Sequence, residues 1–195
     1  MVRLAKFNAD NFIDSAIDVG AQCGIAAVSM AAIAVKAGAP IGSVYHRFES
    51  RSAILARAWL RVKADFRADV ASRWDGADTW AAVAALLDWC RAKPVYARFL
   101  LQCEDYPVFD AALPAPLHAE LETEQAALDA CFERCLHATR QHAEAEAMLR
   151  FVLIDGPVAV IKPYLANNRP IPAGVEAMLR ASHDAVRAWA TTQTD

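Results

Sequence analysis

Ser43, Tyr45, His46 and Arg47 place a hydroxyl, a phenol, an imidazole and a guanidinium within five consecutive positions. What these groups share is the capacity to donate hydrogen bonds to anionic oxygens and to the polar edges of planar rings. Ile41 and Gly42 stand just before them and add an apolar contact and bare backbone. That mixture suits a groove of nucleic acid, where phosphates position a protein and base edges are read by hydrogen bonds and apolar contacts.

To act together, those groups need a short helix presented on another. Ser29 is placed to cap a first helix in which Met30, Ile33, Ala34 and Ala37 recur at helical spacing. Gly38 can take the left-handed conformation that ends it, and Pro40 cannot continue it but can open the next. The spacing predicts a second helix from Pro40 to Phe48, with Val44 and Phe48 turned inward. Ala34 supplies the small residue that two steeply crossing helices need where they touch, Gly38 the turn, and Val44 the core aliphatic beyond it. Those offsets make a helix-turn-helix pattern, whose second helix enters the major groove of DNA.

The continuation Gly42-Ser43-Val44-Tyr45-His46-Arg47-Phe48-Glu49-Ser50-Arg51 strongly resembles the signature of the TetR family of transcriptional regulators, over roughly residues 9–60. The resemblance implies an N-terminal three-helix DNA-binding domain (residues 1–50), a connecting helix (51–74) and a C-terminal helical domain for ligand binding and dimerisation (75–195). It further implies a homodimer on a pseudo-palindromic DNA operator, released when a small molecule moves the body around the connecting helix. Carried over by position, Tyr45 and Arg51 match residues that grip phosphate. Ser29 matches a cap near the DNA backbone, and Ile41, Gly42, Ser43 and His46 match the groove-facing set, with Arg47 adding charge beside them. Two residues depart from the family's pattern: Ala31, where a polar or basic residue is common, and Ile41, where Lys, Ser or Gln is frequent. Ile41 is therefore expected to read a thymine methyl by apolar contact.

Composition agrees with helices throughout. Of 195 residues 56% are hydrophobic, chiefly alanine, with few glycines and little alternating β-branched sequence, so an all-α protein is expected. The net charge of −3 conceals an asymmetry. Residues 1–73 hold ten Lys/Arg against six Asp/Glu, and the remainder holds ten against seventeen, a basic head on an acidic body. Such a split also arises on ordinary solvated helices. Cys23, Cys90, Cys103, Cys131 and Cys135 form no CxxC pair and no metal-spaced cluster, and are expected to be reduced core or pocket residues. No metal or other cofactor is expected. The five histidines are scattered, and no Gly-x-Ser-x-Gly elbow or glycine-rich phosphate loop occurs, so no catalytic constellation can be assembled and an enzyme is not expected. The first residues lack the apolar core of a signal peptide, and the longest apolar run, Phe151 to Ile161, is broken by Asp155 and Pro157 and too short to span a bilayer. A cytoplasmic location without membrane contact is the expectation.

Asn8 or Asp10 can open a first helix with Phe12, Ile13, Ala16, Ile17 and Gly20 inward, ending near Cys23; Arg3 and Lys6 before it could touch phosphate or simply fray. Ser50 can cap a long helix to about Trp74. Asp78 can cap a helix over 79–93, and a shorter one covers 95–103. Further helices are expected near 116–138, 142–165 and 173–192, the second kinked at Gly156-Pro157. The last two carry an apolar surface that either pairs with a second subunit or closes an internal core. Trp89, Phe99, Cys103, Tyr106, Phe109, Phe132, Phe151 and Asp155 are candidate lining for an apolar or aromatic ligand, although the same aromatics could fill the core. Asp155, between Ile154 and Gly156, would need a partner or a cationic ligand if buried, or would cap the kink. The rival to a DNA-binding regulator is a helical protein-interaction module of the same architecture with neither operator nor ligand.

Overall fold

The computed structural model describes residues 8–76, 78–104, 113–139 and 144–192. Arg3, Lys6, Tyr106, Phe109 and His142 fall outside them. The described residues form α-helices α1 (Ala9–Cys23), α2 (Met30–Ala37), α3 (Ile41–Tyr45), α4 (Arg51–Asp69), α5 (Thr79–Ala92), α6 (Pro94–Glu104), α7 (Ala115–Thr139), α8 (Ala145–Arg150), α9 (Gly156–Ala166) and α10 (Gly174–Thr192). No strand occurs among them, and none of their helices is long and apolar enough to cross a membrane.

Local chemistry sets most of these boundaries. Asn8 and Asn11 cap α1 reciprocally, each side chain accepting from the other's backbone N–H at 2.8 and 3.1 Å. Ser29 Oγ accepts from Ala32 N at 3.1 Å, Ser50 Oγ from Ala53 N at 3.0 Å, and Asp78 Oδ1 from the N–H groups of both Trp80 and Ala81 at 3.0 Å. Each cap satisfies an amide that the first turn leaves unpaired. Two helices end sooner than their apolar spacing predicts. The second helix of the turn motif closes at Tyr45 because Arg47 N–H reaches back only to the Val44 carbonyl, a tightened last turn. At the end of α4, Ser72 Oγ takes the Ala68 carbonyl that its own amide would need, and a 3-10 turn follows over Ala71–Arg73.

The chain divides into two compact units, Met1–Ala64 with Val95–Glu124, and Asp65–Pro94 with Gln125–Asp195. In the first, Phe12, Ile17, Ile25, Ile33, Val44, Ile54 and Leu55 are buried together with Phe99 of α6, and Leu117 and Leu121 of α7 pack on Ala53 and Ala56 of α4. In the second, aromatic edges interlock: Phe66 meets Trp74 at 6.0 Å and Trp89 at 5.4 Å, and Trp74 meets Phe132 at 6.3 Å, all near-perpendicular.

The helix expected over 142–165, with a kink at Gly156-Pro157, is described from Glu144 on and changes its winding just before that pair. Between α8 and α9 a π-helical turn spans Phe151–Asp155, and Gly156 N–H bonds to the Phe151 carbonyl. Pro157 explains it: a proline ring clashes with the carbonyl four residues back in a regular helix, and a wider turn before it relieves that clash. A Cβ at position 156 would lie 3.0 Å from the Phe151 carbonyl oxygen, so the wide turn favours glycine there.

Candidate nucleic-acid interface

Gly38 ends α2 at φ 64°, ψ 32°, and its N–H closes back on the Ala34 and Val35 carbonyls. The chain reverses through Ala39 and Pro40 into α3. Within α3 only Val44 is buried; Phe48, just beyond, is buried too, and the pair anchors the short helix from below. Ile41, Gly42, Tyr45, His46 and Arg47 are exposed and Ser43 is half-buried. Tyr45 is 58% exposed, so most of its ring faces solvent. Ser29 is exposed at the start of α2. Seven of the eight residues expected to face DNA are thus held with their side chains at or near the surface.

Arg51, the eighth, is half-buried and bonds the protein's own backbone. Its Nε donates to the Val28 carbonyl at 2.5 Å and its Nη2 to the Ile25 carbonyl at 2.6 Å. Two edges of the guanidinium are therefore committed to the protein's own backbone.

Electrostatics in this unit are more balanced than the basic count implies. Lys36 pairs with Asp18 at 3.1 Å, Arg57 with Glu120, and Arg61 with Asp10 and with Asp14. Burial works to lower the pKa of Arg61, but the hydrogen bonds its guanidinium donates to Asp14 and Asp10, with their negative charge, raise it above its ordinary value. Between 29 and 50 the two cations are Lys36 and Arg47, so Arg47 is the one not committed to a carboxylate by a described ion pair.

One exposed residue was not foreseen. Val35 of α2 is 82% exposed, a large apolar side chain on the outer face of the helix. Its position, two residues after buried Ile33, was the signal that could have found it.

Among the described residues, the expected ligand-lining residues divide between the two units. Phe99 is fully buried in the first unit, its ring against Gly20. Trp89 and Phe132 are buried in the aromatic cluster of the second unit, where Trp89 Nε1 donates to Asp65 Oδ1 at 2.7 Å. Cys103 is half-buried, and Phe151 is exposed. Asp155 needs no partner: it is exposed and makes no side-chain cap to α9, because the wide turn directs it to solvent. Sequence reasoning missed Trp74. Its ring is only 6% exposed, and its indole N–H is a buried donor without an acceptor among the described residues. It also missed a groove of about 350 Å³ in the second unit, lined by Val83, Phe151, Val160, Met178, Leu179, Val186 and the buried His183. His183 Nε2 lies 2.9 Å from Thr79 Oγ1 and its Nδ1 3.0 Å from Asp184 Oδ1. No group of three or more His, Cys, Asp or Glu among the described residues could hold a metal ion.

Residues 12–58, which span α1 to the start of α4, match the family described as bacterial regulatory proteins, tetR family. Among solved structures, a transcriptional regulator from Rhodococcus sp. Rha1 superposes with a TM-score of 0.65 at 20% identity, covering 92% of this chain and 96% of that one. A TetR family transcription regulator from Marinobacter aquaeolei VT8 gives 0.65 at 16% identity, covering 91% and 94%. The multidrug binding protein EbrR, complexed with ethidium, gives 0.57 at 20%, covering 91% and 97%. No curated protein matches. At these identities the solved structures establish the fold, and the family match covers residues 12–58, which hold the recessed Val44 and the outward face of α3.

Proposed function

We propose that this regulator, which is not an enzyme, binds double-stranded DNA as a homodimer on inverted half-sites, and that a small apolar or aromatic molecule releases it to relieve repression. In this reading residues 1–50 hold the DNA, 51–74 connect, and 75–195 receive ligand and partner subunit, in the cytoplasm. The observation that carries it is the division of α3 between buried Val44 and exposed Ile41, Gly42 and Tyr45, with His46 and Arg47 exposed directly after. Ile41, Gly42, Ser43 and His46 would meet base edges, while Tyr45, Arg47 and Ser29 meet the backbone.

A five-residue helix reaches only a few base pairs, so specificity calls for a two-fold mate. Support for that mate comes from the second unit, where Phe151 and Met178, which line the apolar groove, and Trp189 are large apolar residues left exposed. A second copy of α9 and α10 would cover them.

Ligand release draws support from two observations. EbrR, of similar fold, has been solved with ethidium and with malachite green. Here the buried Trp74 donor stands unpaired within an aromatic cluster, which suits an aromatic molecule carrying a hydrogen-bond acceptor. Selection of bound fragments from random duplex DNA tests the function as a whole. An enriched inverted repeat is expected. Enrichment of nothing overturns the reading in favour of a helical interaction module.

A further inference from the structure

Arg51 opens α4, and a cation in the first turn of a helix faces the positive end of the helix dipole. Its guanidinium bonds two carbonyls of the segment joining α1 and α2. Ile25 and Val28 are both buried, so their carbonyls have little water to turn to. The Ile25 oxygen receives Val28 N–H at 3.1 Å and Arg51 Nη2 at 2.6 Å, which uses both of its lone pairs. Val28 immediately precedes Ser29, the cap of α2, so the Nε bond at 2.5 Å fixes the carbonyl from which α2 departs.

We propose that Arg51 is a positioning residue that clamps the α1–α2 connection onto the start of α4, thereby setting the angle of α2 and α3, and that it takes no DNA phosphate. The proposal rests on the DNA-binding reading for its consequence but not for its geometry. Arg51 bridges the two carbonyls from two separate nitrogens of a planar fork, whereas the ammonium of lysine carries the same charge with all its donors on one atom and does not reproduce that spacing. The charge of Arg51 and its shape therefore make separable contributions.

The test uses the full-length chain and the variants Arg51→Lys and Arg51→Gln, each checked for wild-type helix content. Hydrogen exchange without DNA is the first arm. Amides of residues 25–32 are expected to exchange about tenfold faster in both variants; unchanged protection there overturns the clamp. DNA affinity as a function of salt, on the selected duplex, is the second arm. For every phosphate the protein ceases to neutralise, the slope of log K against log salt flattens by about 0.9. A weakened affinity with an unflattened slope in Arg51→Gln, and failure of Arg51→Lys to restore affinity, are the expected results. A flattened slope in Arg51→Gln with full rescue by Arg51→Lys overturns the proposal. Should the wild-type chain select no duplex, the DNA-binding reading fails, and the exchange arm still decides the clamp.

Discussion

The ring of Phe99 lies so close to Gly20 that a methyl group added there would sit 2.9 Å from Phe99 Cδ2 and 3.1 Å from Ile25 Cδ1. Both residues belong to the first compact unit, so an aromatic ring of α6 is seated in a notch that α1 keeps open by having no side chain.

That notch gives the first prediction. Gly20→Ala gains about 1 kcal/mol of helix propensity but overpacks the ring at a cost of about 1–3 kcal/mol, so the net effect is destabilising. Phe99→Ala, which empties the notch, costs about 3–5 kcal/mol. Pairing Gly20→Ala with Phe99→Leu should recover part of the loss. Urea unfolding of these variants beside the wild type measures all of it, and strict additivity of the paired changes would refute the contact as their link.

Gly42 offers a way to separate folding from DNA contact. A Cβ there meets nothing within 4 Å. Gly42→Ala should therefore stabilise the chain by up to about 1 kcal/mol, while weakening DNA binding if α3 lies close in the groove as proposed. Higher thermal stability with undiminished affinity for the selected operator would place position 42 away from the bases.

Ile41, 46% exposed, is expected to touch a thymine methyl. Replacing thymine by uracil at the contacted step should weaken wild-type binding severalfold and leave Ile41→Ala indifferent. Equal losses in both proteins would mean that the methyl is felt elsewhere.

The cysteines should divide by burial. Cys23 is exposed, whereas Cys90 and Cys135 are buried; burial pushes the Cys90 thiol up to about 12 and raises that of Cys135 as well. Since the thiolate is the reactive form, maleimide at neutral pH should modify Cys23 first and leave Cys90 and Cys135 untouched until the protein unfolds. Mass spectrometry of the labelled peptides reads the order.

Lys93 predicts an alkaline dependence. Its ammonium bonds both oxygens of Asp65 at 2.8 and 2.7 Å and Asp69 Oδ2 at 2.8 Å, and the Asp65 bond, followed by that of Asp69, raises its pKa above the ordinary lysine value. A raised pKa means the folded state holds the proton more tightly, so the stabilisation is complete below about pH 10.4 and is lost as pH rises through the folded value. Lys93→Met should remove this part of the alkaline decline. An identical decline in both proteins above about pH 10 would assign it to other groups.

Much of the fold was legible without coordinates because its signals are local. Ser29, Gly38, Ser50 and Asp78 each act on amides or carbonyls within four residues, so residue type and spacing sufficed to place the starts of α2, α4 and α5 and the turn before α3. The inward stripe of α1 and the outward face of α3 followed from helical period alone. Distance along the chain marks where that legibility ends. Arg51 meets partners 23 and 26 residues away, and Phe99 meets Gly20; only the packed structure could turn the first from solvent toward two carbonyls and the second into a notch. Asp155 was read as a carboxylate in an apolar neighbourhood, yet sequence neighbours on a helix point in different directions, and the wide turn before Pro157 sent it outward. Residue types determined the kinds of element and the chemistry on offer; tertiary contact decided which groups kept that chemistry free and which used it up holding the chain together.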